Sequence, residues 1–314
     1  MIGDASHQPW RGVVSRSLNV GSFHSSTSSV TVEIAAASVC GELRSHNTDH
    51  YLAIRLGRMQ ETLLTSLMAA DLPPRFEEFG YAMLVADGLG EQGAGAMASR
   101  VALSALAHLA IRYGRWIVRV GPDTFADINE QGQFYYRQAN EAVFQASRAS
   151  SQLADMATSL TALYIAQDNL FFTHVGHSRA LLFREGVLTQ LTTDHTSAQQ
   201  RRATGEPIPL ERARRDMGHL VTKTIGGWQA GGDAQMQMEH LKLASGDRLL
   251  LCTNGLTDVV SEGQLADQFA LQRGPSEDCQ RFIDLVRAGG TPDDATVMVA
   301  DYRVRQDPGA DRTT

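Results

Sequence analysis

Residues 159–195 read SLTALYIAQDNLFFTHVGHSRALLFREGVLTQLTTDH, and this stretch decides the fold class. Two apolar runs flank the polar residues Gln167, Asp168 and Asn169, and two more flank Glu185-Gly186. Short apolar runs broken by turn-forming residues are the pattern of consecutive antiparallel hairpins. On the N-terminal side, residues 30–39 (VTVEIAAASV), 51–56 and 81–86 (YAMLVA) also read as strands. From Ala94 to Tyr113 the apolar period changes to that of a helix, and a second helical pattern runs from about Gln133 to Met156. On the C-terminal side, residues 193–234 are polar, Arg-rich and interrupted by Gly and Pro, which predicts an irregular surface excursion. Strands MQMEHLKL and DRLLLCTN follow, then helices near 262–272 and 277–288, then a last strand, ATVMVADYRV. Strands in meanders with helices inserted in pairs predict antiparallel sheets covered by helices, an α+β chain rather than a repeating βαβ one.

The 314 residues are 43% hydrophobic and 20% charged, with a formal net charge of −7, enough chain for one large core. A mild acidity spread along the chain argues against nucleic acid or an anionic membrane as partner. Three scattered cysteines, Cys40, Cys252 and Cys279, form neither a disulfide framework nor a metal knuckle. No run approaches the roughly 20 apolar residues of a membrane span, and the first ten residues lack the order of a signal peptide, so a cytoplasmic protein is expected. Residues 1–29 and 306–314 have the composition of a flexible arm and a disordered tail around one domain, 30–305.

The chemistry lies in where the acidic residues fall. Asp87 ends one apolar strand and precedes Gly88-Leu89-Gly90; Asn254 ends another and precedes Gly-Leu-Thr-Asp258; Asp293 and Asp294 precede the last strand; Asp49 precedes an earlier one. Carboxylates held rigidly at strand ends that converge on one rim supply oxygen ligands for hard divalent cations. Ser178 in GHSR lacks the glycine and the following helix of a hydrolase elbow. The run GLGEQGAG lacks the βαβ context of a dinucleotide loop, and His174 with His177 alone makes a poor zinc site.

Six motifs in order, RSHNTD, VADGLGEQGAGAMAS, the hairpin stretch at 159–195, KTIGG, GDRLLLCTNGLTDVV and DDATVMV, resemble those of the metal-dependent (PPM, type 2C) serine/threonine protein phosphatases of bacterial type. The resemblance covers about Val30 to Val304. It implies a four-layer αββα sandwich of two antiparallel sheets flanked by helix pairs, with a binuclear Mn²⁺ or Mg²⁺ centre at one end. It further implies that Asp87 bridges two metals, that the Gly88 carbonyl, Asn254 and Asp293 ligate them, and that Asp49 acts through bound water. Arg44 would pair with the substrate phosphate, and a metal-bridging hydroxide would attack phosphoserine or phosphothreonine. Phosphorylated Ser/Thr proteins and a cognate Ser/Thr kinase are then the implied partners.

Three positions depart from the family pattern. Asn254 stands where the family has Asp, and contributes an amide oxygen but no charge. His177 stands in VGHSR where the family has VGDSR, at a position linked with Asp258 to a third, weaker metal; a nitrogen ligand there would favour Mn²⁺. Leu89 stands where some members carry a histidine acid. The arginines of residues 201–215 fall where the family places a flap. The rival reading is an inactive pseudophosphatase that binds phosphoproteins or partners as a regulatory module; Asn254 favours it, whereas Asp87, Gly88, Asp293, Asp49 and Arg44 together favour the enzyme.

Overall fold

The computed structural model describes residues 30–67, 76–91, 93–114, 120–121, 124–205, 220–227 and 236–304. The expected arm, the expected tail and most of the arginine run lie outside them. In chain order the strands are β1 (Val30–Val39), β2 (His50–Gln60), β3 (Phe76–Ala86), β4 (Gly88–Leu89), β5 (Ala157–Thr158), β6 (Leu160–Ala166), β7 (Asn169–Val175), β8 (Arg179–Arg184), β9 (Val187–Gln190), β10 (Ile225–Gly226), β11 (Gln237–Lys242), β12 (Arg248–Cys252) and β13 (Ala295–Val304). The helices are α1 (Ala94–Tyr113), α2 (Thr124–Ser147), α3 (Ser197–Ala203), α4 (Asn254–Thr257), α5 (Glu262–Ala270) and α6 (Pro275–Gly289).

One five-stranded antiparallel sheet runs β1-β13-β12-β8-β9 and the other β11-β7-β6-β3-β2. The central strands β12 and β13 are buried on both faces over most of their length, which is why they read as apolar runs rather than alternation. On β12, Leu249 and Leu251 join Met298, Ala300, Tyr81, Met83 and Leu163 between the sheets. Leu250 and Cys252 point the other way and meet Phe269, Phe282 and Ile283 of α5 and α6. On β3, Leu84 and Ala86 turn outward onto Ala98, Ala102 and Leu106 of α1. The four layers αββα follow directly from these alternating side chains.

The two central hairpins close as their sequences require. Gln167 sits in the left-handed region (φ 55°), and Glu185 and Gly186 both do (51° and 84°), the backbone that matches the twist of paired strands. Helix α1 spans Ala94–Tyr113 as its period predicts. The expectation of no membrane-length apolar run needs correction: α1 is long and apolar enough to cross a bilayer by length and composition. It packs instead on the second sheet through Ala98, Ala102 and Leu103, as a core helix does.

Three other boundaries differ from expectation. The β2–β3 pair is longer, running to Gln60 and beginning at Phe76; the outer half of β2 is largely exposed and shows no apolar period. Helix α2 covers 124–147, not 133–156: Phe125 and Ile128 pack in its polar-looking first turns, and Ser150 caps a separate turn at Ser151–Leu153. Within the irregular excursion, Thr196 caps the short helix α3, accepting from Gln199 N, and Ile225–Gly226 pairs with β5.

Between the second sheet and helices α1 and α2 lies a cavity of about 180 Å³.

At the far end of β12, Arg248 is held by two acids, with Nη2 2.7 Å from Asp278 Oδ2 and Nε 2.6 Å from Asp301 Oδ1. Arg303, largely exposed, reaches the other oxygen of Asp301 at 3.7 Å, so Arg248 is the buried cation shared by two buried carboxyls. Burial pushes Asp278 up to about 6, with Arg248 opposing and Asp301 adding to the rise. A carboxyl raised in the fold keeps its proton where the unfolded chain has lost it, so stability falls as pH rises from about 4 to about 6 and is level above. Asp278→Asn should abolish that part of the slope and leave the protein at least as stable at pH 8, as thermal melts across this range would record.

Candidate metal and phosphate site

Asp87 leaves the end of β3, and its backbone is fixed before its side chain is considered. Its carbonyl accepts from Ser159 N (2.9 Å) and Thr158 Oγ1 (2.8 Å), which ties it to β5. Its carboxylate is 5% exposed; Oδ2 accepts no hydrogen bond and lies 3.5 Å from His177 Nε2. Gly88 must be glycine, since a Cβ there would come within 2.1 Å of the Gly95 carbonyl oxygen. The first turn of α1 thus crosses the Asp87–Gly88 backbone at closest approach.

Asp49, just before β2, accepts from Thr253 Oγ1 through Oδ2 (2.7 Å), while its buried Oδ1 accepts none. Thr253 Oγ1 also accepts from Thr296 N (2.9 Å), so one hydroxyl links Asp49, α4 and β13. Asn254 does not end a strand as expected: β12 stops at Cys252, Thr253 is the N-cap, and Asn254 is the first residue of α4. Its Nδ2 donates to Asp258 Oδ2 (3.1 Å). The structure therefore brings Asn254 together with Asp258, and His177 together with Asp87.

Asp293 Oδ1 accepts from Arg44 Nε (2.9 Å) and Nη2 (2.7 Å). Asp294, grouped by the sequence with the strand-end carboxylates but given no role of its own by the resemblance, organises the rim: Oδ1 accepts from Gly41 N (2.9 Å), and Oδ2 from Thr48 N (2.7 Å) and Thr48 Oγ1 (2.9 Å). The one signal for it was its place beside Asp293. Thr253 was likewise missed, and a threonine at a strand end carries no distinguishing mark.

Four carboxylates, Asp49, Asp87, Asp293 and Asp294, act on one another at this rim. Burial pushes Asp49 up to about 7; hydrogen bonds from Thr253 and Thr296 oppose this, and the charges of Asp294 and Asp293 add to it. Burial, then Asp49 and Asp293, hold Asp87 well above the usual carboxylate range, with Arg44 the opposing cation. Among the described residues no three His, Cys, Asp or Glu side chains form a ready-made metal cage. The donor set nevertheless fits a hard divalent cation: buried carboxylate oxygens on Asp87 and Asp49 that accept no hydrogen bond, beside an excess of negative charge.

A family model described as Protein phosphatase 2C matches residues 75–286, and the chain belongs to that family. The serine/threonine protein phosphatase PstP of Mycobacterium tuberculosis is 32% identical over 219 residues, 70% of this chain and 40% of PstP. The matched part thus spans less than half the length of that relative. The serine/threonine phosphatase stp of Listeria monocytogenes is 27% identical over 71% of this chain and 85% of its own length. Among solved structures, the catalytic domain of PstP in complex with two manganese ions superposes with a TM-score of 0.66 at 28% identity, covering 87% of this chain and 99% of that one. The antiparallel α+β architecture read from the hairpins, and the sandwich that the resemblance implies, match the fold of the PstP catalytic domain.

Proposed function

We propose that this chain is a Mn²⁺- or Mg²⁺-dependent phosphatase of phosphoserine and phosphothreonine proteins. The observation that carries the reading is the rim where Asp49, Asp87 and Asp293 converge with Arg44 as counter-cation. Asp87, the Gly88 carbonyl, Asn254, Asp293 and Asp49 would hold two ions, and His177 with Asp258 a third. When bound, such ions lower the pKa of a water and shield phosphoryl oxygens. Arg44 offers a planar fork of donors suited to a phosphate. Leu89 has no proton to give, so the departing serine or threonine oxygen takes one from solvent or another side chain. A neutral Asn254 and an imidazole at 177 support a preference for Mn²⁺ over Mg²⁺. A Ser/Thr kinase that makes such phosphoproteins in the cytoplasm would be the opposing partner.

Purified protein should hydrolyse a phosphothreonine peptide with Mn²⁺ and lose that activity with EDTA; absence of turnover in a folded, Mn²⁺-saturated sample would refute the reading. The Arg44–Asp293 contact adds a sharper expectation. Arg44→Ala removes a phosphate donor and also releases Asp293 from its ion pair. It should raise KM for phosphopeptide and tighten Mn²⁺ binding several-fold; an unchanged KM would move the phosphate site elsewhere.

A further inference from the structure

We propose that the cavity between the second sheet and helices α1 and α2 binds a neutral ring compound bearing one acceptor oxygen. The space exists because small residues face it from all sides: Ala82 and Ala162 on the strands, Ala107 and Ala110 on α1, Gly132 on α2. Its volume of about 180 Å³ exceeds the roughly 150 Å³ of a dry engineered cavity that takes benzene. No Asp, Glu, Lys or Arg lines it, so a charged ligand would lose its hydration without meeting a counter-charge. The lining His174 supplies none either. Its Nδ1 is 2.8 Å from Thr161 Oγ1, its Nε2 is 3.0 Å from the Gly176 carbonyl, and burial lowers it to about 3.

The ring is indicated by the walls, to which Tyr135, Tyr136, Tyr164 and Phe171 contribute aromatic surface. The acceptor oxygen is indicated by Tyr135. Its oxygen accepts from Gln131 Nε2 (2.8 Å), and among the described residues no acceptor takes its proton. A ligand carbonyl or ether oxygen would complete that hydroxyl. Met236 and Met238 also border the cavity, and flexible thioethers accommodate rings of differing outline.

Calorimetry and thermal melts on the whole chain, with 1-tetralone and with naphthalene as probes, test the assignment without reference to catalysis. Saturable binding of tetralone, one per chain, with a rise in Tm is expected. Tyr135→Phe should weaken tetralone about 3–10-fold and leave naphthalene unchanged. Ala162→Leu should fill the space, abolish both and raise the Tm of the ligand-free protein; Ala107→Leu provides the same test from the opposite wall. Absence of binding by either probe, binding indifferent to both filling variants, or a lowered ligand-free Tm in both would overturn the proposal. Equal weakening of both probes by Tyr135→Phe would overturn the acceptor assignment.

Discussion

Asp87→Asn is expected to abolish phosphatase activity, by roughly 10³-fold or more, and at the same time to raise the melting temperature of the metal-free protein. The two effects have one cause. Asp87 is buried, its Oδ2 accepts no hydrogen bond, and its acidity is suppressed by burial and by Asp49 and Asp293. Such a group is costly to the fold unless a cation neutralises it. The amide keeps the shape and removes the charge, so the metal-free fold gains. A gain of about 1–2 kcal/mol corresponds to a few degrees in a domain of this size. Metal-assisted charge stabilisation contributes several kcal/mol to the transition state, and each 1.36 kcal/mol is tenfold in rate. Melts with and without Mn²⁺, beside turnover, separate the effects: normal turnover would refute the metal site, and a lowered metal-free Tm would refute the charge argument.

Asn254→Asp should act in the opposite sense. The native amide donates to Asp258 Oδ2 at 3.1 Å, so a carboxylate in its place would face another carboxylate. The metal-free variant should melt lower than the native protein. If Asn254 is a ligand, the added charge would lie beside a dication when Mn²⁺ binds, with desolvation offsetting part of the attraction. A gain of about 1–3 kcal/mol, or about 5–150-fold in the dissociation constant, is expected by calorimetry. Turnover need not rise, because a more negative centre holds a bound water's proton more tightly. Unchanged Mn²⁺ affinity in a folded variant would place Asn254 outside the ligand set.

The parts legible in the sequence are those fixed by local rules. The strands β1 and β13 and the helix α1 match expectation because each is an uninterrupted pattern, with α1 set between Gly93 and Gly114 and β13 preceded by Asp293 and Asp294. Strand-end carboxylates marked the rim for the same reason. The length of β2 was hidden because its outer half is largely exposed, that of β3 because Phe79 stands apart among polar residues, and the start of α2 because Phe125 and Ile128 are spaced among polar residues. The ion pair of Arg44 with Asp293 and the three hydrogen bonds to Asp294 join residues some 250 positions apart, and no local pattern encodes them. Asn254 was placed at a strand end because its apolar run continues to Cys252; the helical turn that follows begins without a side-chain cap to announce it.

The pairing of β1 with β13 over all ten residues, Val30 with Val304 through Val39 with Ala295, has a consequence for biosynthesis. Contacts between such distant segments form slowly, because a long loop must close before they repay it. On the ribosome the first strand emerges with no partner and waits for nearly the whole chain. Asp293 and Asp294 are made just ahead of that last strand, so the loop of residues 41–48 lacks its hydrogen bonds to Asp294 and to the Thr291 carbonyl until then. A nascent or truncated chain therefore exposes an unpaired edge and carries an incomplete rim, leaving it prone to association until synthesis has passed β13.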